Sequence, residues 1–180
     1  MPAGGNVRWG WHRLAPRWAE RLVADAGVAP GDLVLDIGAG DGAITAPLVA
    51  AGARVIAVEL HPQRAALLRE RFADAGRRVT VVRADAADLR LPRRPFRVVA
   101  SPPYAATALV LRRLLAPGSR LVAADLVLEH AAARRWATGR APGAARWSRD
   151  FDAALGRRLP RSAFTPRPPI DSTTLLLRRR

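Results

Sequence analysis

The segment Val34-Leu35-Asp36-Ile37-Gly38-Ala39-Gly40-Asp41-Gly42 constrains the fold more than any other part of the chain. A short apolar run carries an acid near its end and enters a turn with three alternating glycines, after which a helix-like stretch begins near Ala43. Glycines let a backbone turn sharply and approach a ligand closely, which is how a strand-to-helix turn in a parallel sheet uses them. The spacing D-x-G-x-G-x-G differs from the dinucleotide pattern G-x-G-x-x-G. Asp36 is expected to order this turn or a ligand's polar groups, while Gly38 and Gly40 bring the backbone against the ligand.

The rest of the chain alternates short apolar runs with longer helix-like stretches, the pattern of βαβ units around a mostly parallel sheet. Strands are expected at Leu33-Ile37, Arg54-Glu59, Val79-Arg83, Arg97-Ala100, Arg120-Asp125 and Thr173-Arg178. Helices are expected at Arg17-Ala26, Ala43-Ala51, Pro62-Ala75, Thr107-Ala116 and Val127-Thr138. At 180 residues the chain suits one core, so residues 17–180 are expected to form one domain preceded by a basic, aromatic arm over 1–16. Arg134 to Arg149 mixes arginine with Trp136, Gly139, Pro142, Gly143 and Trp147 and reads as a loop facing a nucleic acid.

Three strand ends carry polar groups that converge on one crevice. Glu59, with Leu60 after it, ends the second strand, and a carboxylate there offers two oxygens to the two hydroxyls of an adenosyl ribose. Asp85 and Ala86 end the third strand, with Asp85 placed to accept from an adenine amine. After the fourth strand comes Ser101-Pro102-Pro103-Tyr104. An amine conjugated to a base is a weak nucleophile, and acceptors on its N–H groups draw it toward tetrahedral geometry. Ser101 Oγ and the Pro102 carbonyl are placed to do this, and Tyr104 to stack on a base taken out of its surroundings.

Composition narrows the partners. Thirty basic residues, all arginine, against 15 acidic ones give a formal charge of +15, which calls for a polyanion such as nucleic acid. Arg8, Trp9, Trp11 and Arg13 interleave charge with stacking rings, as RNA contacts do. There is no cysteine, and His12, His61 and His130 are scattered, so no metal is expected. With neither a secretory signal nor a long apolar run, a cytoplasmic protein without a membrane partner is expected.

On these residues the chain resembles the Erm family of 23S rRNA adenine-N6 methyltransferases, and more distantly the small-subunit rRNA adenine dimethylases. Asp36 to Gly42 match the family's E/D-I-G-x-G-x-G, Glu59 its ribose acid, and Asp85-Ala86 its adenine pair. Phe164-Thr165-Pro166-Arg167-Pro168-Pro169-Ile170-Asp171-Ser172 matches its F-x-P-x-P-x-V-D-S segment. The resemblance implies a Rossmann-like class I methyltransferase, an α/β fold with helices on both sheet faces. Its cofactor is S-adenosyl-L-methionine, and its partner is 23S rRNA or the assembling large ribosomal subunit, bound as a monomer. The implied outcome is resistance to macrolide, lincosamide and streptogramin B antibiotics. His12 and Leu14 fall at the family's first cofactor motif, and Phe164 is expected to close on the base. Ser101 stands where the family has Asn, and S-P-P-Y is familiar from cytosine-N4 methyltransferases. That activity and a non-catalytic rRNA-binding assembly factor are the alternatives. The chain looks like a short form without the family's C-terminal helical domain.

Overall fold

The computed structural model describes residues 12–180. In chain order they form β1 (Arg13–Leu14), α1 (Pro16–Ala26), β2 (Leu33–Ile37), α2 (Thr45–Ala50), β3 (Arg54–Val58), α3 (Pro62–Arg71), β4 (Val79–Val82) and β5 (Phe96–Ala100). There follow α4 (Thr107–Leu114), β6 (Leu121–Glu129), α5 (His130–Ala137), α6 (Ala144–Trp147), β7 (Phe151–Leu159), β8 (Phe164–Thr165) and β9 (Ser172–Arg179). Seven strands make one sheet in the order β4-β3-β2-β5-β6-β9-β7. The first five are parallel, and β9 runs antiparallel to both its neighbours.

Helices cover both faces because the central strands are apolar on both sides. Leu33, Leu35 and Ile37 of β2 point into a cluster with Val110, Leu111 and Leu114 of α4 and Trp136 of α5. Val34, one residue out of phase, packs with Leu22 and Val23 of α1 and Leu48 of α2. Ala57 of β3 meets Leu68 of α3 on that second face. The strand order reverses between β2 and β5, which leaves a crevice at their carboxyl ends, where open α/β sheets bind ligands. Among the described residues no helix is long and apolar enough to cross a membrane.

A small clasp closes over that end. β1 and β8 pair antiparallel, with Arg13 opposite Thr165 and Leu14 opposite Phe164, and the Ala15 amide donates to the Ala163 carbonyl at 2.8 Å. Residues 13–15, in the expected arm, are thereby joined to the body of the fold.

Three expectations fail. The helix placed at Val127 begins at His130, because β9 extends β6 by pairing Thr174 with Val127 and Thr173 with Leu128, both fully buried. The apolar stretch fits either period, and the long-range partner decides. No element was expected over Phe151–Leu159, where the chain forms edge strand β7, since Gly156 and two arginines obscure the strand alternation. The supposed loop Arg134 to Arg149 contains the end of α5 and all of α6, and Trp136, Ala141 and Trp147 within it are buried. Trp136 and Trp147 are buried at 4% and 6% exposure and pack on each other with centroids 5.7 Å apart, so they are core, not stacking platforms for RNA. Arg134, Arg135, Arg140, Arg146 and Arg149 remain on the surface.

Candidate active site

The glycine turn is pinned to its neighbours strand by strand. Gly38 and Ala39 donate to the Val58 carbonyl at 2.8 and 3.0 Å, and the Glu59 amide donates to the Val82 carbonyl at 3.1 Å. Glu59, 3% exposed, draws the turn in further: its Oε2 accepts from the Gly40 amide at 2.9 Å. Its Oε1 accepts from the His61 amide at 2.8 Å and from Arg64 Nη2 at 3.1 Å. Arg64 was not singled out by the sequence. It sits two residues into α3 from Pro62, and the signal was an arginine placed to fold back over an acid at the preceding strand end.

A cavity of about 90 Å³ lies beside this carboxylate, lined among others by Gly38, Leu60, Arg64, Asp85, Ala86 and Pro103. The expected ribose acid, adenine pair and second proline of the tetrapeptide are thus neighbours around one space. A far larger cleft, about 640 Å³, runs between α1 and α2, but none of the expected cofactor-binding or catalytic residues lines it.

Gly38 joins the two halves of the site. Its φ is 78°, and a Cβ built on it would lie 3.0 Å from Pro103 Cδ and 3.4 Å from Pro102 Cα. The turn and the tetrapeptide are in backbone contact there. Ser101 is half-buried, and the Tyr104 hydroxyl is 2.7 Å from Ser172 Oγ. Burial pushes the Tyr104 phenol above its ordinary pKa, with the Ser172 hydrogen bond opposing and the Glu129 charge adding to the rise. Ser172, the last residue of the F-x-P-x-P-x-V-D-S match, holds this ring in place.

The N-terminal residues sit differently from expectation. Leu14 and Phe164 are 2% and 3% exposed, lie in one core cluster and face each other across the clasp. His12 lies on Tyr104, not in the cavity: the rings stack with centroids 5.7 Å apart, and Nδ1 donates to the Pro166 carbonyl at 2.8 Å. Arg13 is engaged with Asp41 of the glycine turn. Arg8, Trp9 and Trp11 lie outside the described residues.

Asp36 turns inward beneath the turn. It is 1% exposed and accepts from Thr45 Oγ1 at 2.7 Å, while its other oxygen is buried without a hydrogen-bond partner. Burial pushes its carboxyl up to about 7, the Thr45 hydrogen bond opposing and the Glu59 charge adding to the rise. Below the unfolded value near 3.8 both states are protonated; between there and 7 only the unfolded chain ionises, so folding stability falls as pH rises. Asp36→Asn removes this slope, and wild type should lose about 3 kcal/mol relative to it between pH 4 and 7, measured by denaturant titration at each pH. Parallel curves for the two proteins would refute a neutral Asp36.

The model of the ribosomal RNA adenine dimethylase family matches residues 15–180. An rRNA adenine N-6-methyltransferase of Corynebacterium diphtheriae is 36% identical over 81% of this chain and 57% of its own length. The mycinamicin-resistance protein MyrB of Micromonospora griseorubida is 38% identical over 82% of this chain and 47% of its own. The chain thus spans about half the length of these relatives. Among solved structures, the 23S rRNA methyltransferase ErmE superposes with a TM-score of 0.84 at 26% identity, covering 94% of this chain and 70% of that one. A dimethyladenosine transferase from Plasmodium falciparum gives 0.80 at 21% identity, covering 94% and 64%.

Proposed function

Because the chain belongs to the ribosomal RNA adenine dimethylase family, we propose that it transfers a methyl group from S-adenosyl-L-methionine to N6 of an adenine in 23S rRNA. The observation that carries this reading is the contact of Gly38 with Pro102 and Pro103, which sets the cavity lined by Glu59, Asp85 and Ala86 against the tetrapeptide expected to handle the amine.

The residues present fit the cofactor. Glu59 is a buried carboxylate at the cavity wall, Asp85 and Ala86 lie across from it, and Gly38 has no side chain to block approach from the tetrapeptide side. When bound, the cofactor supplies an electrophilic methyl on a sulfonium sulfur. Glu59 would accept the ribose hydroxyls, with Arg64 giving up its place on Oε1. Ser101 Oγ and the Pro102 carbonyl would accept hydrogen bonds from the adenine N6–H groups and turn the nitrogen lone pair toward the methyl group; as the N–C bond forms and the S–C bond breaks, N6 would release one proton to solvent. Tyr104, fixed through its hydroxyl to Ser172, stacks on the base and holds it in line. The group that reacts is thereby positioned more than it is activated.

RNA is held by the arginines of α5 and the stretch after it. His130, Arg134, Arg135 and Arg140 line a surface depression of about 370 Å³, and α5 begins where Glu129 pairs with Ser172, beside the Tyr104 anchor. We place the protein in the cytoplasm as a monomer acting on 23S rRNA or the large subunit as it assembles. Likeness to MyrB supports a macrolide-resistance role.

The deciding experiment incubates the protein with labelled cofactor and 23S rRNA and digests the RNA to nucleosides. Label in N6-methyladenosine is the expected result. Label in N4-methylcytidine would move the reading to the cytosine activity that Ser101 allows. Retained rRNA binding with no methylated nucleoside would leave a binding protein in place of an enzyme.

A further inference from the structure

We infer that His12 is a stand-in for the target base, occupying the face of Tyr104 on which an extruded adenine stacks and leaving it when the base arrives. This inference rests on the reading of Tyr104 as the base-stacking ring. The two rings lie with centroids 5.7 Å apart and planes at 27°. A base inserted between two rings needs twice the base-stacking spacing, about 7 Å. The present separation is too small, so a base on this face must displace the imidazole.

The clasp places His12 there. Arg13 pairs with Thr165 and Leu14 with Phe164, and continuing that antiparallel register sets His12 opposite Pro166, whose carbonyl accepts from Nδ1 at 2.8 Å. Tyr104 is tethered to the same segment a few residues on, through Ser172. The β8–β9 connection therefore holds both the ring and its cover. Among the described residues, one exposed hydrogen bond and one ring contact hold the cover shut. An adenine offers Tyr104 a larger ring in exchange, so the face stays protected until a base is presented and opens at modest cost.

Tyr104 is the single tyrosine of the chain, which makes the test direct. Protein grown with 3-fluorotyrosine has one fluorine resonance, and a neighbouring imidazole shifts it through its ring current. Wild type, His12→Ala and His12→Asn are compared free and saturated with single-stranded oligoadenylate plus S-adenosylhomocysteine, with saturation followed separately by anisotropy. Asn keeps an amide that donates to the Pro166 carbonyl but has no ring. The expected result is that wild type differs from both variants when free, and that all three converge when saturated. Oligoadenylate should also bind about tenfold more tightly to His12→Ala, since nothing must be displaced. Identical free spectra would overturn the inference, because the ring contact would be absent in solution. Resonances that move on binding but keep their offset would also overturn it while leaving Tyr104 as the stacking ring, since the base would then lie on the other face. Resonances that do not move, or absence of binding, would remove the base-stacking reading and the inference with it.

Discussion

Glu59→Ala is expected to lower affinity for S-adenosylhomocysteine at least about a hundredfold, the loss of two charge-assisted hydrogen bonds to a ribose in a buried setting. The same substitution removes the acceptor for the Gly40 amide, the His61 amide and Arg64, so the fold suffers as well. Each buried amide left without an acceptor costs about 1–3 kcal/mol. A fall in melting temperature is therefore certain to accompany the binding defect, and the two effects must be separated. Glu59→Gln does this. Its carbonyl oxygen still serves the Gly40 amide or the His61 amide, while its NH2 faces a donor, so part of the stability returns and the paired acceptance of two hydroxyls does not. Calorimetry with S-adenosylhomocysteine, read beside thermal melts, measures both. Near wild-type affinity in a destabilised Glu59→Gln would make Glu59 a structural tie alone and would sink the cofactor reading.

That Glu59 has three donors in the described structure bears on what the sequence can tell. The glycine turn, the acid at the second strand end and the tetrapeptide at the fourth were legible because each is a local pattern: strand, then turn chemistry, then polar residue. Their convergence was also legible, since parallel strands bring successive carboxyl ends to one edge. What was not legible depends on where each helix begins and on which face of the sheet it packs. Arg64 reaches Glu59 only because α3 starts where it does, and Thr45 reaches Asp36 only because α2 packs on that face of β2. The tryptophans of the expected RNA loop show the same limit. Interleaved Trp and Arg fit both a stacking surface and an amphipathic covering of the sheet, and burial of Trp136 and Trp147 beside Phe151 selects the second. The arginines kept the outward half of that expectation. Likewise Leu14 and Phe164 sit at positions that the resemblance marks as functional, and the pairing of the two across a clasp was not readable from either segment alone.

Gly38→Ala should reduce kcat at least about a hundredfold, although it adds one methyl group and changes no polar atom. Two effects combine. The residue has φ 78°, where an L side chain costs about 1–2 kcal/mol. The new Cβ also meets Pro103 Cδ at 3.0 Å and Pro102 Cα at 3.4 Å, and neither neighbour is the free end of a flexible chain. Proline rings and backbone yield only by moving the segment they belong to, so the strain is passed to Ser101–Tyr104 and the acceptors shift relative to the methyl donor. A displacement of about 1 Å in such a site costs about 10²-fold in rate. Gly31 provides the control, since it has φ 86° and nothing within 4 Å of its Cβ position. Gly31→Ala carries the backbone penalty without the collision, so it should lower the melting temperature about as much as the φ cost alone requires and leave kcat near wild type. Measuring kcat, KM for RNA and thermal stability for both variants separates strain from displacement. If Gly38→Ala lost stability like Gly31→Ala but kept its rate, the turn and the tetrapeptide would not be mechanically joined, and the geometry on which the methyl-transfer reading rests would be wrong.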